Sequence, residues 1–558
     1  MFVRAKKSGQ YEYLQVVHNV RKGDQVRQHV LGTLGRVDVL RSTGQLDALL
    51  ASCSRFADRV AVLAAHREGL VTPAQKVRVG PPRVFEKLWH EAGVPEVLEG
   101  LLADRKFEFP VERAIFVTAL HRLFDPGSDR AAEVWRRDYA IAGIEDLELH
   151  HLYRAMAWLG EALGEDQQTH RTPFAPRTTK DQIEEALFAR QRYLFTSLDL
   201  VFFDTTSVYF EGEGGETLGE YGYSRDRRPD RKQMVVAVVL DGAGRPICCE
   251  LWPGSTTDVK TLLPIVDRLQ GRFGLRSVCV VADAGMVSEE AIRGLQAEGR
   301  RVRFILGMRL RKSKEVREEV LSRAGRYHEV VGPRQRPPDP APLKVKEVWV
   351  GDRRYLVCEN EEEARKDAHD REALVAALRD QLARGEKTLV GNSGFRKFLK
   401  SEGPGGLALD PERIAEEARY DGKWVLRTDT DLSPSEVALK YKQLWRVEQV
   451  FRSLKTVLET RPIYHKCDET IRGHVFCSFL ALGMLQDLLA RMEARGWEVE
   501  WERLQRDLDD LEEITVTAGG QRLVLRSDPR GDAGKALQAA GISLGPVVRI
   551  WREDGDES

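Results

Sequence analysis

Cysteine is scarce in this chain. Seven residues are scattered over 558 positions, and Cys248-Cys249 is the one close pair. No C-x-x-C spacing occurs, so neither a disulfide framework nor a structural zinc site is supported, and a reducing cytoplasm is the expected compartment. Long hydrophobic runs are also missing. No stretch of about 18 apolar residues is present, so no membrane span is expected. The opening segment, Met1 to Lys7, lacks the apolar core of a signal peptide. Net charge is nearly absent too: 86 Lys and Arg against 87 Asp and Glu leave a formal charge of −1. That argues against a uniformly basic duplex-binding protein, so any nucleic-acid contact must be local.

What is present is an ordinary globular composition, 42% hydrophobic and 31% charged, which excludes a disordered chain. The length is enough for three or four domains. Charge is unevenly placed. Arg300 to Arg303 and Arg309 to Lys314 form one basic region; Arg225, Arg227, Arg228, Arg231 and Lys232 form another. An acidic block, Asp507 to Glu513, offsets them.

Residues 1–40 read as a β-hairpin, with Tyr11 to His18 and Val26 to Leu31 alternating around a turn at Gly23-Asp24. Residues 41–195 are helical in pattern, with helices over Pro82 to His90, Val111 to His121 and Leu149 to Leu163. They are expected to form a separate domain that contacts DNA ends or a second subunit. From residue 196 the pattern changes. Strands are expected at 198–204, 233–240, 246–252, 277–282 and 302–307, with helices at 258–272 and 288–298, which together predict a mixed sheet with helices on its faces. Residues 310–420 interrupt it as an insertion, with a Pro-rich loop (Gly332 to Pro342), a strand pair near Val345 to Val350 and Tyr355 to Cys358, and a charged helix at about 360–384. The strand Trp424 to Arg427 and a helix at 434–458 return to the main fold, which spans 196–309 and 421–495. A helix at 471–494 and a tail over 496–558 close the chain.

Three acids carry the chemical reading. Asp204 and Asp283 each follow an apolar strand, Leu200 to Phe203 and Val278 to Ala282, and an acid there points into the crevice where such sheets place ligands. The third, Glu448, lies on the 434–458 helix. Ser433, Pro434 and Glu436 form its start signal. Leu444, Val447, Phe451, Leu454 and Leu458 fall in one apolar arc, and Tyr441, Trp445, Glu448, Arg452 and Lys455 in the arc beside it. Glu448 is thus expected at the edge of the buried face. Attack of water or a 3′-hydroxyl on a phosphodiester needs an ionised nucleophile and a stabilised leaving oxygen, which two Mg²⁺ ions about 4 Å apart supply. Hard carboxylate ligands suffice. Asp204 is expected to bridge both ions, with Asp283 and Glu448 each completing one.

The motifs around these acids resemble a known family. Phe203 to Ser207, Gly222 to Asp226, Arg228 to Gln233, Gly254 to Asp258, Ala282 to Gly285, Tyr441 to Lys455 and Arg461 to His465 are together similar to bacterial insertion-sequence DDE transposases of the IS-four-like group. The resemblance implies an α/β fold: an RNase H-like, retroviral-integrase-like mixed sheet with flanking helices, interrupted by a β-rich insertion and preceded by a mainly helical domain. It implies metal-dependent cleavage at terminal inverted repeats and strand transfer into target DNA, Mg²⁺ as cofactor (two ions, Mn²⁺ able to substitute), double-stranded DNA as partner, a homodimer in the synaptic complex, no membrane, and a cytoplasmic, nucleoid-associated location. Tyr441 and Lys455 would contact phosphates. Leu444 stands where the family has an arginine, and Arg452, ahead of Arg446, is the candidate substitute; Thr205 is a further candidate DNA contact. Trp349 and Trp424 could stack on bases of a hairpinned end, though a core position is expected for each. His465 and His474 are expected to be packed and hydrogen-bonded. Three other readings remain: an RNase H-like nuclease without strand transfer, a catalytically impaired DNA-binding relic, and a two-carboxylate glycosidase, which would leave Lys455 and Arg452 unexplained.

Overall fold

A computed structural model of the chain describes residues 2–22, 25–46, 49, 71–191, 200–275, 278–297, 302–330, 343–384, 397–401, 407–518 and 521–550. The chain divides into two compact units. The first comprises Met1–Val77, Glu512–Asp528 and Leu544–Ser558, and the second Arg78–Leu511 and Pro529–Ser543.

The first unit opens with an antiparallel sheet in the order β1 (Phe2–Ser8), β2 (Tyr11–Lys22) and β3 (Gln25–Arg36). It is a three-stranded meander where a hairpin was expected. The charged segment before Tyr11 pairs because Gly9, in the left-handed region at φ 60°, folds it back onto β2. The turn expected at Gly23-Asp24 lies outside the described residues. A short helix, Val37–Ser42, buries Leu40 against Gly35 at one end of the sheet. β4 (Val71–Arg78) belongs to a second sheet completed by strands near the end of the chain.

In the second unit, helices Gly80–Glu91, Val111–Phe124 and Leu149–Gly160 form as their apolar spacing dictates. They pack around helix Asp468–Glu493 and so share one unit with the sheet rather than forming a separate domain. The long helix can approach closely because Gly473 faces the backbone of Met156, where a Cβ would collide. By length and composition it could cross a membrane, but 67% of its most apolar window is buried in the protein, which is how a core helix behaves.

The sheet of this unit is built from β5 (Leu200–Tyr209), β6 (Gln233–Asp241), β7 (Pro246–Pro253), β8 (Val278–Ala282), β9 (Val302–Met308), β10 (His328–Val330), β11 (Leu343–Val350), β12 (Arg353–Asn360) and β15 (Lys423–Thr428), and β13 (Leu399–Ser401) and β14 (Leu407–Leu409) pair separately. β5 is the axis: it runs antiparallel to β6 and parallel to β8, which runs parallel to β9. The order β7-β6-β5-β8-β9 is the mixed, RNase H-like arrangement that the resemblance implied. Helices Leu262–Phe273 and Glu289–Leu295 cover the face carrying Val201, Phe203, Val280 and Phe304. Residues 310–420 are not a body set apart from this sheet. Their strands β10, β11 and β12 continue it beyond β15 through antiparallel ladders, because Val345, Tyr355, Leu356 and Val357 are as buried as the central strands. The Pro-rich loop lies outside the described residues. β16 (Glu512–Ala518), β17 (Gln521–Arg526) and β18 (Val548–Ile550) complete the sheet of β4 in the first unit.

Candidate active site

Asp204 does not end its strand. It sits midway along the ten-residue β5, because Thr205 to Tyr209 keep pairing with Met234 to Ala237 and Gln233. Val201 and Phe203 belong to the core on one face, so alternation turns Asp204 to the other. Asp283 directly follows Ala282, the residue paired with Phe203, which brings the two aspartates together on adjacent parallel strands. Burial, together with the nearby carboxylates of Asp283 and Asp258, pushes the Asp204 carboxyl up to about 7, against the opposing pull of the Thr205 amide and Arg225. Its Oδ1 accepts that amide at 2.7 Å.

Asp258 was not among the expected site residues. It opens the turn before helix Leu262–Phe273 and accepts the Thr205 hydroxyl at 2.7 Å. Arg225 donates to the other Asp258 oxygen at 2.6 Å and to Thr205 Oγ1 at 2.8 Å. Asp258 and Arg225 lie in two of the quoted motifs, Gly254 to Asp258 and Gly222 to Asp226. Neither follows a strand, so the strand-end signal that singled out the other acids missed them.

Tyr441 donates its phenol to Asp283 Oδ1 at 3.0 Å. The ring lies against β9 at Gly307, where a Cβ would collide with the phenol oxygen. Burial and the Asp283 charge raise the phenol well above its ordinary range. The single helix expected at 434–458 is broken. Pro434–Lys442 starts with the anticipated Ser433–Glu436 capping box, turns at Gln443-Leu444, and continues as Trp445–Arg452 with a wider turn over Ser453–Val457. Tyr441, Glu448 and Lys455 therefore do not line one straight helix. The second piece packs on β5 and β6 through Val447, Val450 and Phe451, all buried. These residues lie outside the core on the Val201 face, so the helix covers the face to which Asp204 points. Glu448 is exposed rather than at the buried edge, and among the described residues it makes no hydrogen bond or ion pair.

The remaining expected residues divide. Arg452 is exposed and also has no ion pair among the described residues. Lys455 is tied to the carboxylate of Asp226 at 2.8 Å, with Arg461 at 3.4 Å from the same group. Burial pulls its ammonium below the ordinary range against the support of Asp226. Thr205, expected at DNA, is 2% exposed with its hydroxyl held by Asp258 and Arg225, so a direct DNA contact does not fit. Arg446 donates to the Gly242 carbonyl at 3.1 Å, in the turn after Asp241. Asp241 pairs with Val201, three residues or about 10 Å along β5 from Asp204. Trp349 is 50% exposed, not a core residue; Trp424 is half-buried beneath Lys442.

His465 and His474 are packed as expected, beside Asp129. One ligand atom from each of the three lies within 4.8 Å of the others, a spacing that could suit a metal. The donors are already occupied, however. Arg122 donates to Asp129 Oδ1 at 3.2 Å and lies 3.0 Å from His474 Nδ1, while His474 Nε2 faces the Thr460 carbonyl at 3.1 Å. A guanidinium stands where a cation would enter, so this cluster does not fit a metal. The Asp204 cleft does: hard oxygens from half-buried Asp204 and Asp258 and exposed Asp283, and an Asp204 carboxyl that burial and like charge hold back from ionising.

A family model described as the transposase DDE domain matches residues 196–484, and one for the N-terminal domain of the IS1634 family of transposases matches residues 2–66. The N-terminal match thus names IS1634 rather than the IS-four-like group. No curated protein matches the sequence. Among solved structures, the chain is similar to a piggyBac transposase synaptic complex with hairpin DNA, at 10% identity and TM-score 0.40, over 77% of this chain and 79% of that one. It is also similar to a Mos1 transposase paired-end complex with the left transposon end, at 15% identity and TM-score 0.14, over 36% and 61%.

Proposed function

Since the chain belongs to the DDE transposase family, enzymes that act on DNA and depend on divalent metal, we propose that it moves an insertion sequence by a cut-and-paste route with Asp204, Asp283 and Glu448 as its catalytic acids. The observation that carries this reading is the crowding of the buried Asp204 carboxyl by those of Asp283 and Asp258, with Arg225 bonded to Asp258 as counter-charge. Asp204, Asp283 and Glu448 would hold two Mg²⁺ ions, with Mn²⁺ able to replace them; when bound, these ionise the nucleophile and stabilise the leaving oxygen.

The protein's own groups hold the acids in place. The Thr205 amide orients Asp204, Tyr441 orients Asp283, and Glu448, exposed on the Trp445–Arg452 helix that packs on β5 and β6, would complete the set. Exposed Arg452 would take a DNA phosphate, and Lys455 would do so by exchanging Asp226 for it. In the first step a water oxygen bonds to phosphorus at the element's end and the 3′ oxygen departs as a hydroxyl. In the second, that hydroxyl oxygen bonds to a target phosphorus as the target's own 3′ oxygen departs. In each step a proton leaves the nucleophile and one is returned to the departing oxygen. Two ends must be held together, so the working form would be a homodimer on double-stranded DNA, in the cytoplasm. The finer grouping, near the IS-four-like enzymes, rests on the Tyr441–Glu448–Lys455 spacing.

The test is cleavage and joining of a labelled duplex carrying the element's inverted-repeat end, with Mg²⁺ or with EDTA. Metal-dependent joining by the wild type, lost in Glu448→Ala, is the expected result. Cleavage without joining would reduce the protein to a nuclease; binding without chemistry under any metal would make it a relic.

A further inference from the structure

Gly222 and Gly254 bring two separate stretches of the chain into contact. A Cβ on Gly222 would collide with the Gly254 carbonyl, and one on Gly254 with the carbonyls of Gln233 and Glu220, so the close approach requires glycine at both positions. It lays the loop that carries Tyr223 and Arg225 beside the turn from Ser255 to Asp258 that follows β7. A cavity of about 160 Å³ lies there, and Tyr223, Arg225, Ser255, Thr256, Thr257 and Asp258 are among its walls.

Arg225 is fixed in this cavity but not used up. Its amide donates to Ser207 Oγ at 2.9 Å, and Nη2 alone holds both Thr205 Oγ1 and Asp258 Oδ2. Nε and Nη1 have no partner among the described residues, and the side chain is 28% exposed. The hydroxyls of Ser255, Thr256 and Thr257 likewise make no hydrogen bond among the described residues; Ser255 and Thr257 are exposed and Thr256 is half-buried. Asp258 is the one acid in the lining, and its two oxygens are engaged by Thr205 and Arg225. What remains open is a set of donors, which suits an anion. The cavity also adjoins the catalytic acids. Asp258 Oδ2 and Asp283 Oδ2 lie 3.9 and 3.8 Å from the point a Cβ on Gly285 would occupy, so the Asp258 carboxylate borders both the cavity and the cleft.

We infer that this cavity binds a backbone phosphate of DNA, held by the free guanidinium nitrogens of Arg225 and the hydroxyls of Ser255, Thr256 and Thr257. The inference rests on the transposase reading and adds a contact to it, since neither Arg452 nor Lys455 lines this cavity. Arginine and hydroxyl side chains are common partners of nucleic-acid phosphates. Anchoring one nitrogen to Asp258 fixes the guanidinium plane in advance, so little freedom is lost when the others bind. With a rise of about 3.4 Å per nucleotide on one strand, the phosphate lies within about two nucleotides of the bond that reacts at Asp283. A phosphate of the element's end and one of the target present the same chemistry.

The experiment replaces single phosphates with uncharged methylphosphonates, near the cleaved bond of a duplex carrying the terminal inverted repeat and along a target duplex without it. Binding of the full-length protein is read by fluorescence anisotropy in EDTA, where no chemistry occurs. Arg225→Ala should weaken binding of the unmodified duplex about 10-fold and lower the salt slope by about one. At one position the methylphosphonate should weaken the wild type by a similar factor and cost Arg225→Ala nothing further, because both changes remove the same contact. The duplex that holds this position identifies the strand in the cavity. Ser255→Ala/Thr257→Ala should couple to the same position with a smaller loss, about 3-fold. Arg228→Ala removes a charge of the same loop that is paired with Asp230 at 2.9 Å; it is the control and should couple to no such position. Thermal unfolding like that of the wild type confirms folding of each variant. An Arg225→Ala protein that binds both duplexes as the wild type does overturns the inference. So does one that every methylphosphonate weakens further, or an Arg228→Ala protein that couples to the same phosphate. None of these outcomes touches the transposase reading, which is sunk separately by a wild type that fails to cleave the repeat end with Mg²⁺.

Discussion

Around Lys180, three buried cations face three buried anions; around Asp204, the carboxylates of Asp283 and Asp258 crowd a third, and Arg225 on Asp258 is the counter-charge. In the first cluster Lys180, Arg268 and Arg272 meet Asp181, Glu184 and Glu250, each side chain no more than 4% exposed. Lys180 also donates to the Cys249 carbonyl at 2.6 Å, and Glu184 accepts the Cys249 amide at 2.9 Å, so helix Thr179–Gln191, helix Leu262–Phe273 and β7 are tied at one point. Despite burial, the surrounding cations hold the Asp181 carboxyl below its ordinary range, and the anions hold the Lys180 ammonium above its own. Every charge there has an opposite charge beside it within the protein. At Asp204 the balance is left open and the carboxyl rises to about 7. The contrast teaches where a cation from outside would fit: the Lys180 cluster pairs its charges internally, whereas the Asp204 cleft leaves negative charge uncompensated.

Substituting the open cluster should cost activity and not stability; substituting the closed one should do the reverse. Asp204→Asn is expected to lower end cleavage at least about 10⁴-fold, on the order of 5 kcal/mol of barrier, with the melting temperature of the metal-free protein unchanged or raised. A variant that keeps even a tenth of wild-type cleavage would remove Asp204 from the catalytic set. Glu184→Ala removes an anion that faces Lys180, Arg272 and the Cys249 amide at once. A buried pair broken on one side costs about 3–5 kcal/mol, so the denaturation midpoint should fall sharply. An unchanged midpoint would show that the cluster is not a brace.

The two clusters also answer pH differently. Asp204 carries a proton in the folded state up to about pH 7, whereas unfolded it ionises near pH 4. Between those values the folded form binds more protons, so its stability falls as pH rises and the loss is complete above 7. Relative to Asp204→Asn, metal-free wild type should lose up to about 2–4 kcal/mol between pH 4 and 8, and Mg²⁺ should restore it in the wild type alone. Parallel pH curves for the two proteins would show that the carboxyl is not held back from ionising.

The open cluster was half legible in the sequence, and the closed one not at all. Asp204 and Asp283 stood out because each follows an apolar run, and a strand period is a local signal. Glu448 was singled out by helix spacing and motif, and the structure leaves it exposed; the break at Gln443-Leu444 was not foreseen, since Leu444 keeps the apolar arc intact on either side of the turn. Asp258 and Arg225 meet only through tertiary contact across 33 residues. The Lys180 cluster draws on residues 180 to 272, and no local period marks a charge that the fold will bury. The extension of the sheet by β10, β11 and β12 was hidden for a similar reason. Their alternation identifies strands, but only the pairing of Tyr355 with Arg427 and Leu356 with Leu426 reveals which sheet they join.

The smallest expected effect separates two roles for Tyr441. The structure gives its phenol to Asp283, whereas the family resemblance gives it to a DNA phosphate. Asp283 is exposed, so water replaces much of what the phenol supplies, and Tyr441→Phe should cost about 1 kcal/mol, roughly 5-fold in cleavage. If the phenol orients the carboxylate, the loss should show as a higher half-saturating Mg²⁺ concentration with the DNA requirement unchanged. Gly307→Ala, which puts a methyl where the phenol oxygen lies, should reproduce that loss with the tyrosine still present. If the phenol serves the phosphate instead, the DNA concentration needed for half-maximal cleavage rises and the Mg²⁺ dependence does not move. That result would place Tyr441 with Arg452 among the DNA contacts and leave Asp283 to be held by the strand end alone.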